Sequence, residues 1–192
     1  MPLIILDRDG VINHDSDDYI KSVEEWRPID GSLEAIARLC RAEYRVVIAT
    51  NQSAVGRGLI DMDQLNHSHK HMLDQIHEKG GEIDAIFFCP HTPEDECGCR
   101  KPKPGMLQRI AERSNNSLED VPMVGDSSRD LLAAQAAGAF PVLVLSGKNE
   151  FNLEAGEKIT GDAQFSTVPT FSNLASFADA LLDGRLIRYV SR

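Results

Sequence analysis

Leu3-Ile4-Ile5-Leu6-Asp7-Arg8-Asp9-Gly10-Val11 is the stretch on which the fold turns. Residues 2–6 form a short, uniformly apolar run with branched side chains, which reads as a buried strand. Two carboxylates follow at once, two positions apart, so in extended backbone they face one side. Carboxylates that close repel each other unless a cation or a proton intervenes.

The same arrangement recurs along the chain. Residues 45–49 (Arg-Val-Val-Ile-Ala) read as a strand that runs into Thr50-Asn51-Gln52-Ser53. Residues 121–125 read as a strand that runs into Asp126-Ser127-Ser128-Arg129-Asp130. Apolar runs at 83–88 and 140–145 add two more strands. Helical spacing fills the intervals: residues 32–43, a segment from Asp61 or Asp63 to Lys79 stopped by Gly80, residues 105–113, a segment through Ala137 ended by Gly138, and residues 171–183. Apolar strands alternating with helices predict one α/β domain over residues 1–192, a doubly wound, Rossmann-like parallel sheet covered on both faces. Such sheets bind ligands at the carboxyl ends of their strands, so the three polar clusters should meet at one edge. Asp126 then adds a third carboxylate, and hard oxygen ligands in this number suit Mg2+.

Composition narrows the function classes. Of 192 residues, 42% are hydrophobic and 26% charged, ordinary for a globular protein. Thirty acidic residues against 20 basic ones give a net charge of −10, which argues against nucleic-acid partners and against an anionic membrane surface. No apolar run has the length of a membrane span, and the N-terminus lacks a basic n-region, so a cytoplasmic protein is expected. Disulfides are rare in that compartment, so the cysteines need another use.

Cys89-x-His91, five residues, then Cys97-x-Cys99 is a four-ligand set within one short loop, and it fits tetrahedral Zn2+. All four positions come from protein, so the site should be structural. Arg100-Lys101-Pro102 follows directly, so the metal would fix the point from which two cations leave the loop. Cys40 reads as a small core residue on the first helix. His67, His69 and His71 read as solvated surface residues, and Trp26 as a packing residue. Residues 146–163 are turn-rich and receive no role. With no large cap between the motifs, the loops at 13–30 and 51–60 and the zinc loop should form the walls of an open site. No amphipathic seam stands out, so a monomer is expected.

As a set, Asp7-x-Asp9-Gly10-Val11, Thr50-Asn51, Lys101 and Gly125-Asp126-x-x-x-Asp130 resemble the motifs of the haloacid dehalogenase-type phosphatase superfamily, in that family's order and over most of the chain. The resemblance implies a capless phosphoric monoester hydrolase. Asp7 would be the nucleophile and Asp9 the acid and base; Thr50 would donate to the transferring phosphoryl group, and Lys101 would offset its charge. Asp7, the backbone carbonyl of Asp9, and Asp126 would hold Mg2+, with Asp130 supporting the site. The zinc loop with Arg100-Lys101-Pro102 is similar to a branch acting on heptose bisphosphates and on histidinol phosphate. The segments 6–13, 50–58 and 99–106 resemble the heptose enzymes more closely, which implies a small sugar-phosphate substrate and a place in nucleotide-activated heptose and lipopolysaccharide-core biosynthesis. Asp15, Asn51, Gln52 and Ser53 would then line the substrate site, with Arg57 and Arg100 meeting a second phosphate. Histidinol phosphate carries an ammonium and an imidazole instead, for which Asp15, Asp17 and Asp18 would be partners. A phosphoacceptor signalling domain also has a strand-end Asp and a Lys, but it has no use for Asp9 and fits the zinc loop poorly.

Overall fold

The computed structural model describes residues 1–148, 150, 151, 153 and 165–186. Its centre is β1 (Leu3–Leu6), buried along its whole length. Leu3 and Ile5 point into one core cluster and Ile4 and Leu6 into another, because successive side chains of a strand leave opposite faces. That is why the run is apolar without alternation.

On one side of β1 lies β2 (Arg45–Asn51), then β3 (Ala85–Cys89); on the other lie β4 (Pro122–Gly125), β5 (Phe140–Val144) and the two-residue β6 (Thr170–Phe171). The order β3-β2-β1-β4-β5-β6 is parallel throughout. Helices α1 (Ser32–Arg41), α3 (Met62–Glu78) and α6 (Leu174–Leu182) cover one face, burying Ile36, Met72 and Phe177 among others. Helices α4 (Gly105–Ser114) and α5 (Ser128–Ala137) cover the other with Leu107, Ile110 and Ala134. A single turn, α2 (Ser53–Gly56), leaves β2 directly. The architecture is the expected single α/β sheet, and no cap is inserted between its motifs among the described residues.

Several boundaries differ from the periodicity for local reasons. The last helix starts at Leu174, not 171, because Asn173 caps it and exchanges bonds with Ser176, while Thr170 and Phe171 pair with β5. Helix α5 starts at Ser128 because Ser127 and Asp130 form a capping box. Trp26 packs as expected, 2% exposed, edge-on to His71. Cys40, expected in the core, sits half-buried at its margin with Sγ 3.3 Å from the Glu82 carbonyl oxygen.

One expectation is overturned. His69 is not a solvated residue: it is buried, and its ring stands 5.8 Å from that of Phe88. The apolar stripe of α3 passes through Leu65, Met72 and Ile76, and position 69 falls on that stripe. Burial, aided by the charge of Arg8, pushes the imidazole down to about 4, so it is neutral near pH 7.

Candidate active site

The strand order reverses direction at β1 and β4, and the crevice outside that switch point is where open α/β sheets bind ligands. Register places the acids there. Leu6 pairs with Val124, and the Asp7 N–H donates to the Val124 carbonyl at 2.9 Å, so Asp7 and Asp126 emerge side by side. On the other flank Leu6 pairs with Ile48, and β2 runs on to present Thr50 and Asn51 beside Phe88 and Cys89. A cleft of about 250 Å³ lies over this edge, lined by Asp7, Asp9, Thr50, Lys101, Asp126 and Asp130 among others.

Lys101 is the hub. It is 1% exposed, and its Nζ lies 2.9 Å from Asp7 Oδ1 and 2.5 Å from Asp130 Oδ1, while donating to the Ala49 carbonyl at 2.8 Å. Asn51 fixes its backbone twice: Oδ1 accepts from the Lys101 N–H and Nδ2 donates to the Lys101 carbonyl, both at 3.1 Å. Burial opposes the charge of Lys101, but Asp130 and Asp7 outweigh it and hold the ammonium above its usual range. Burial likewise works against ionised Asp130, yet Lys101 and the Ser127 hydroxyl (2.7 Å to Oδ2) keep its carboxyl below the ordinary range.

Asp7 Oδ1 also accepts from the Arg8 N–H at 2.7 Å; Oδ2 has no hydrogen-bond partner among the described residues. Burial raises Asp7 to about 7 in spite of Lys101, and burial with the charges of Asp130 and Asp7 raises Asp126 to about 8. Carboxylates raised this far stand in a site short of positive charge. Asp7, Asp126 and Asp130 place carboxylate oxygens within 4.8 Å of one another, a hard-oxygen set that fits Mg2+. The carboxylate of Asp9 is outside this cluster. It accepts instead from Arg8 Nε (3.0 Å), Asn13 Nδ2 (2.8 Å) and Gln52 Nε2 (3.0 Å).

Glycines leave room for Asp126. A Cβ on Gly10, whose φ is +80°, would lie 2.3 Å from Asp126 Oδ2, and one on Gly147 would lie 1.8 Å from it. Gly147 belongs to the loop after β5, which received no role in the sequence reading. Ser146 Oγ donates to the Gly10 carbonyl at 2.7 Å, and the Lys148 N–H reaches Asp126 Oδ2 at 3.4 Å. Lys148 Nζ then crosses the cleft to Asp15 (3.1 Å) and Asp17 (2.9 Å). Sequence reasoning missed this loop because a turn-rich segment has no period; the Ser-Gly-Lys run after an apolar strand was its one signal. Positions 149, 152 and 154–163 of the stretch lie outside the described residues.

Arg100 and Ser53 line the cleft with Asn51, Gln52 and Asp15. Arg57 does not: α2 carries it out of the cleft, and its guanidinium lies 3.8 Å from Glu94. Cys89, His91, Cys97 and Cys99 converge as four ligand atoms within 4.8 Å, with the thiols 3.2–3.5 Å apart and none in a disulfide. Around a metal with bonds of about 2.3 Å, tetrahedral sulfurs stand roughly 3.8 Å apart, so only slight expansion is needed.

The HAD-hydrolase-like family model matches residues 98–171, from the end of the Cys89–Cys99 loop through β6. The chain is 50% identical over 182 residues to the D-glycero-beta-D-manno-heptose-1,7-bisphosphate 7-phosphatase of Pseudomonas putida, covering 95% of this chain and 100% of that one. It is 54% identical over 156 residues to the same enzyme of Bordetella bronchiseptica, covering 81% and 87%. This chain belongs to the heptose-bisphosphate phosphatase family of HAD-like hydrolases. A crystal structure of the B. bronchiseptica family member complexed with magnesium and phosphate superposes with a TM-score of 0.88 at 49% identity, over 96% of this chain and 99% of that one. The heptose-bisphosphate phosphatase fold is thus shared nearly end to end.

Proposed function

We propose that this chain hydrolyses the C7 phosphate of D-glycero-β-D-manno-heptose 1,7-bisphosphate through a phosphoester on Asp7. The observation that carries the reading is the pairing of Asp7 with buried Lys101 at 2.9 Å, beside Asp126, at the switch point of a chain about half identical to such enzymes. The free oxygen of Asp7 attacks phosphorus as the bond to the C7 oxygen breaks, and Asp9 gives that oxygen its proton. Water then attacks the phosphoaspartate, Asp9 takes a proton from it, and phosphate leaves. Thr50 donates to the transferring oxygens, and Lys101 lowers the repulsion between two anions. Asp7 and Asp126, with the Asp9 carbonyl, would hold Mg2+, whose charge supplies electrostatic stabilisation of the phosphoryl group. Asp130 holds Lys101 in place. Zn2+ in the Cys89–Cys99 loop would be structural, fixing Arg100 and Lys101. Unpaired cysteines fit a cytoplasmic setting.

The bisphosphate is favoured over histidinol phosphate by charge. Of the acids Asp15, Asp17 and Asp18, the first two are already paired with Lys148 and the third does not line the cleft, whereas Arg100 and Arg129 line it and suit a second phosphate. The test is phosphate release, with Mg2+, from both anomers of heptose 1,7-bisphosphate and from histidinol phosphate. Release from C7 of the β anomer should lead, and Asp7→Asn should abolish it. A preference for histidinol phosphate would refute the substrate; turnover by Asp7→Asn would refute the nucleophile.

A further inference from the structure

Arg8 is buried to 2% exposure, and Nη2, besides its bond to Asp9, donates to Gln52 Oε1 at 3.0 Å. A guanidinium has donors only, so the amide of Gln52 has to turn its oxygen toward Arg8 and its NH2 away. That NH2 donates to Thr50 Oγ1 at 2.9 Å and to Asp9 Oδ2 at 3.0 Å. The amide orientation therefore follows from the chemistry of its neighbours.

Thr50 has one hydroxyl proton. Its oxygen accepts from Gln52, and no acceptor among the described residues takes the proton. Thr50 is 1% exposed, yet it borders the cleft. A side chain with an acceptor at the place of the Gln52 NH2 would draw the proton inward instead.

We propose that Gln52, held by Arg8, is a positioning residue that reserves the Thr50 hydroxyl as a donor aimed into the cleft, ready for the transferring phosphoryl oxygen. A donor set in advance needs no reorganisation as charge develops, and such donors are worth most in the transition state. The inference rests on the phosphatase reading above, because only a phosphoryl group in this cleft gives the donor its use.

The experiment compares Gln52→Met, which removes the bonds to Thr50, Asp9 and Arg8 at nearly constant volume, with Gln52→Glu, which offers Thr50 an acceptor, each in wild-type and Thr50→Val backgrounds. Thermal unfolding of each variant reports on folding. Thr50→Val should lower kcat by about 10²-fold, the range for loss of one such donor. Gln52→Glu should lower kcat by a similar factor with KM changed less than about threefold, and Gln52→Met by less than about tenfold. In the Thr50→Val background Gln52→Glu should cost less than about twofold more, because two changes acting through one hydroxyl are not additive. Equal losses in Gln52→Met and Gln52→Glu, or a full additional loss on top of Thr50→Val, would overturn the proposal and leave the role of Thr50 standing. Full activity in Thr50→Val would overturn the role of Thr50 and the proposal together. If Gln52→Glu does not fold, Gln52→Met decides the matter in both backgrounds: a severalfold loss that disappears on top of Thr50→Val supports the proposal, and no loss, or one as large as that of Thr50→Val, overturns it.

Discussion

A missing side chain does as much in this site as those present. Gly147 leaves no room for a Cβ beside Asp126, which would meet its carboxylate at 1.8 Å. Gly147→Ala should therefore turn Asp126 out of place and weaken Mg2+ binding by about 10- to 100-fold, the range seen when a metal ligand loses its support. Titrating activity with Mg2+ checks this: the half-saturating concentration should rise, and kcat should recover at high metal. An unchanged Mg2+ dependence would show that the loop yields instead. Asp7, Asp9, Asp126 and Asp130 were legible as candidates because they follow apolar runs that end at one sheet edge. Gly147 and Lys148 were not, since their function comes from a contact between loops more than 100 positions apart, namely Ser146 with Gly10.

At the scale of the element, the Cys89–Cys99 loop joins β3 to Lys101. Cys89 ends β3 beside Asn51 of β2, and the Lys103 ammonium donates to the Glu96 carbonyl at 2.6 Å, while Arg100 Nη1 donates to that of His91 at 3.1 Å. These bonds span a segment whose own regular structure is one 3-10 turn, Pro93–Asp95. Burial pushes the Cys89 thiol up to about 12, whereas Cys97, in spite of its own burial, is brought down to about 7 by hydrogen bonds from Cys89 and Cys99, so without a cation Cys89 keeps a proton that a metal would displace. If the loop holds zinc as proposed, chelating it, or substituting Cys97→Ser, should lower kcat by about 10- to 100-fold although Cys89, His91, Cys97 and Cys99 do not line the cleft. Metal content measured beside turnover decides it: a zinc-free protein with full kcat would sink the idea that this loop positions Lys101. The pattern of ligands was plain in the sequence because their spacing is short. The place of Arg57 was not legible there: the direction of α2, a single turn, sends it toward Glu94.

For the whole molecule, the raised carboxyls couple folding to pH and metal. Asp7 at about 7 and Asp126 at about 8 retain protons in the folded, metal-free protein that the unfolded chain releases above the ordinary carboxylate range. The folded state thus binds more protons in that window, and metal-free stability should fall as pH rises from about 4 to about 8. Asp130, held below its usual range, acts in the opposite sense, its contribution being present above that range and lost in stronger acid. A divalent cation competes with the protons on Asp7 and Asp126, so its stabilisation should grow over the same window. Thermal unfolding with and without Mg2+, at about pH 5.5 and about pH 8.5, checks the sign: the Mg2+-induced rise in Tm should be larger at the higher pH. An equal or smaller rise would mean that these two carboxyls do not hold the ion.

The sequence by itself determined the α/β class, the strand ends that carry the acids and the ligand set of the loop. Each is a local matter: a buried strand must be apolar, a switch-point residue must follow it, and four ligands in eleven positions need no tertiary fold to be seen. The tertiary structure alone decided which oxygens Lys101 neutralises, that His69 is buried, that Lys148 neutralises Asp15 and Asp17, and which way Gln52 faces. These depend on register between parallel strands and on loops meeting across the sheet edge, and such contacts leave no period along the chain.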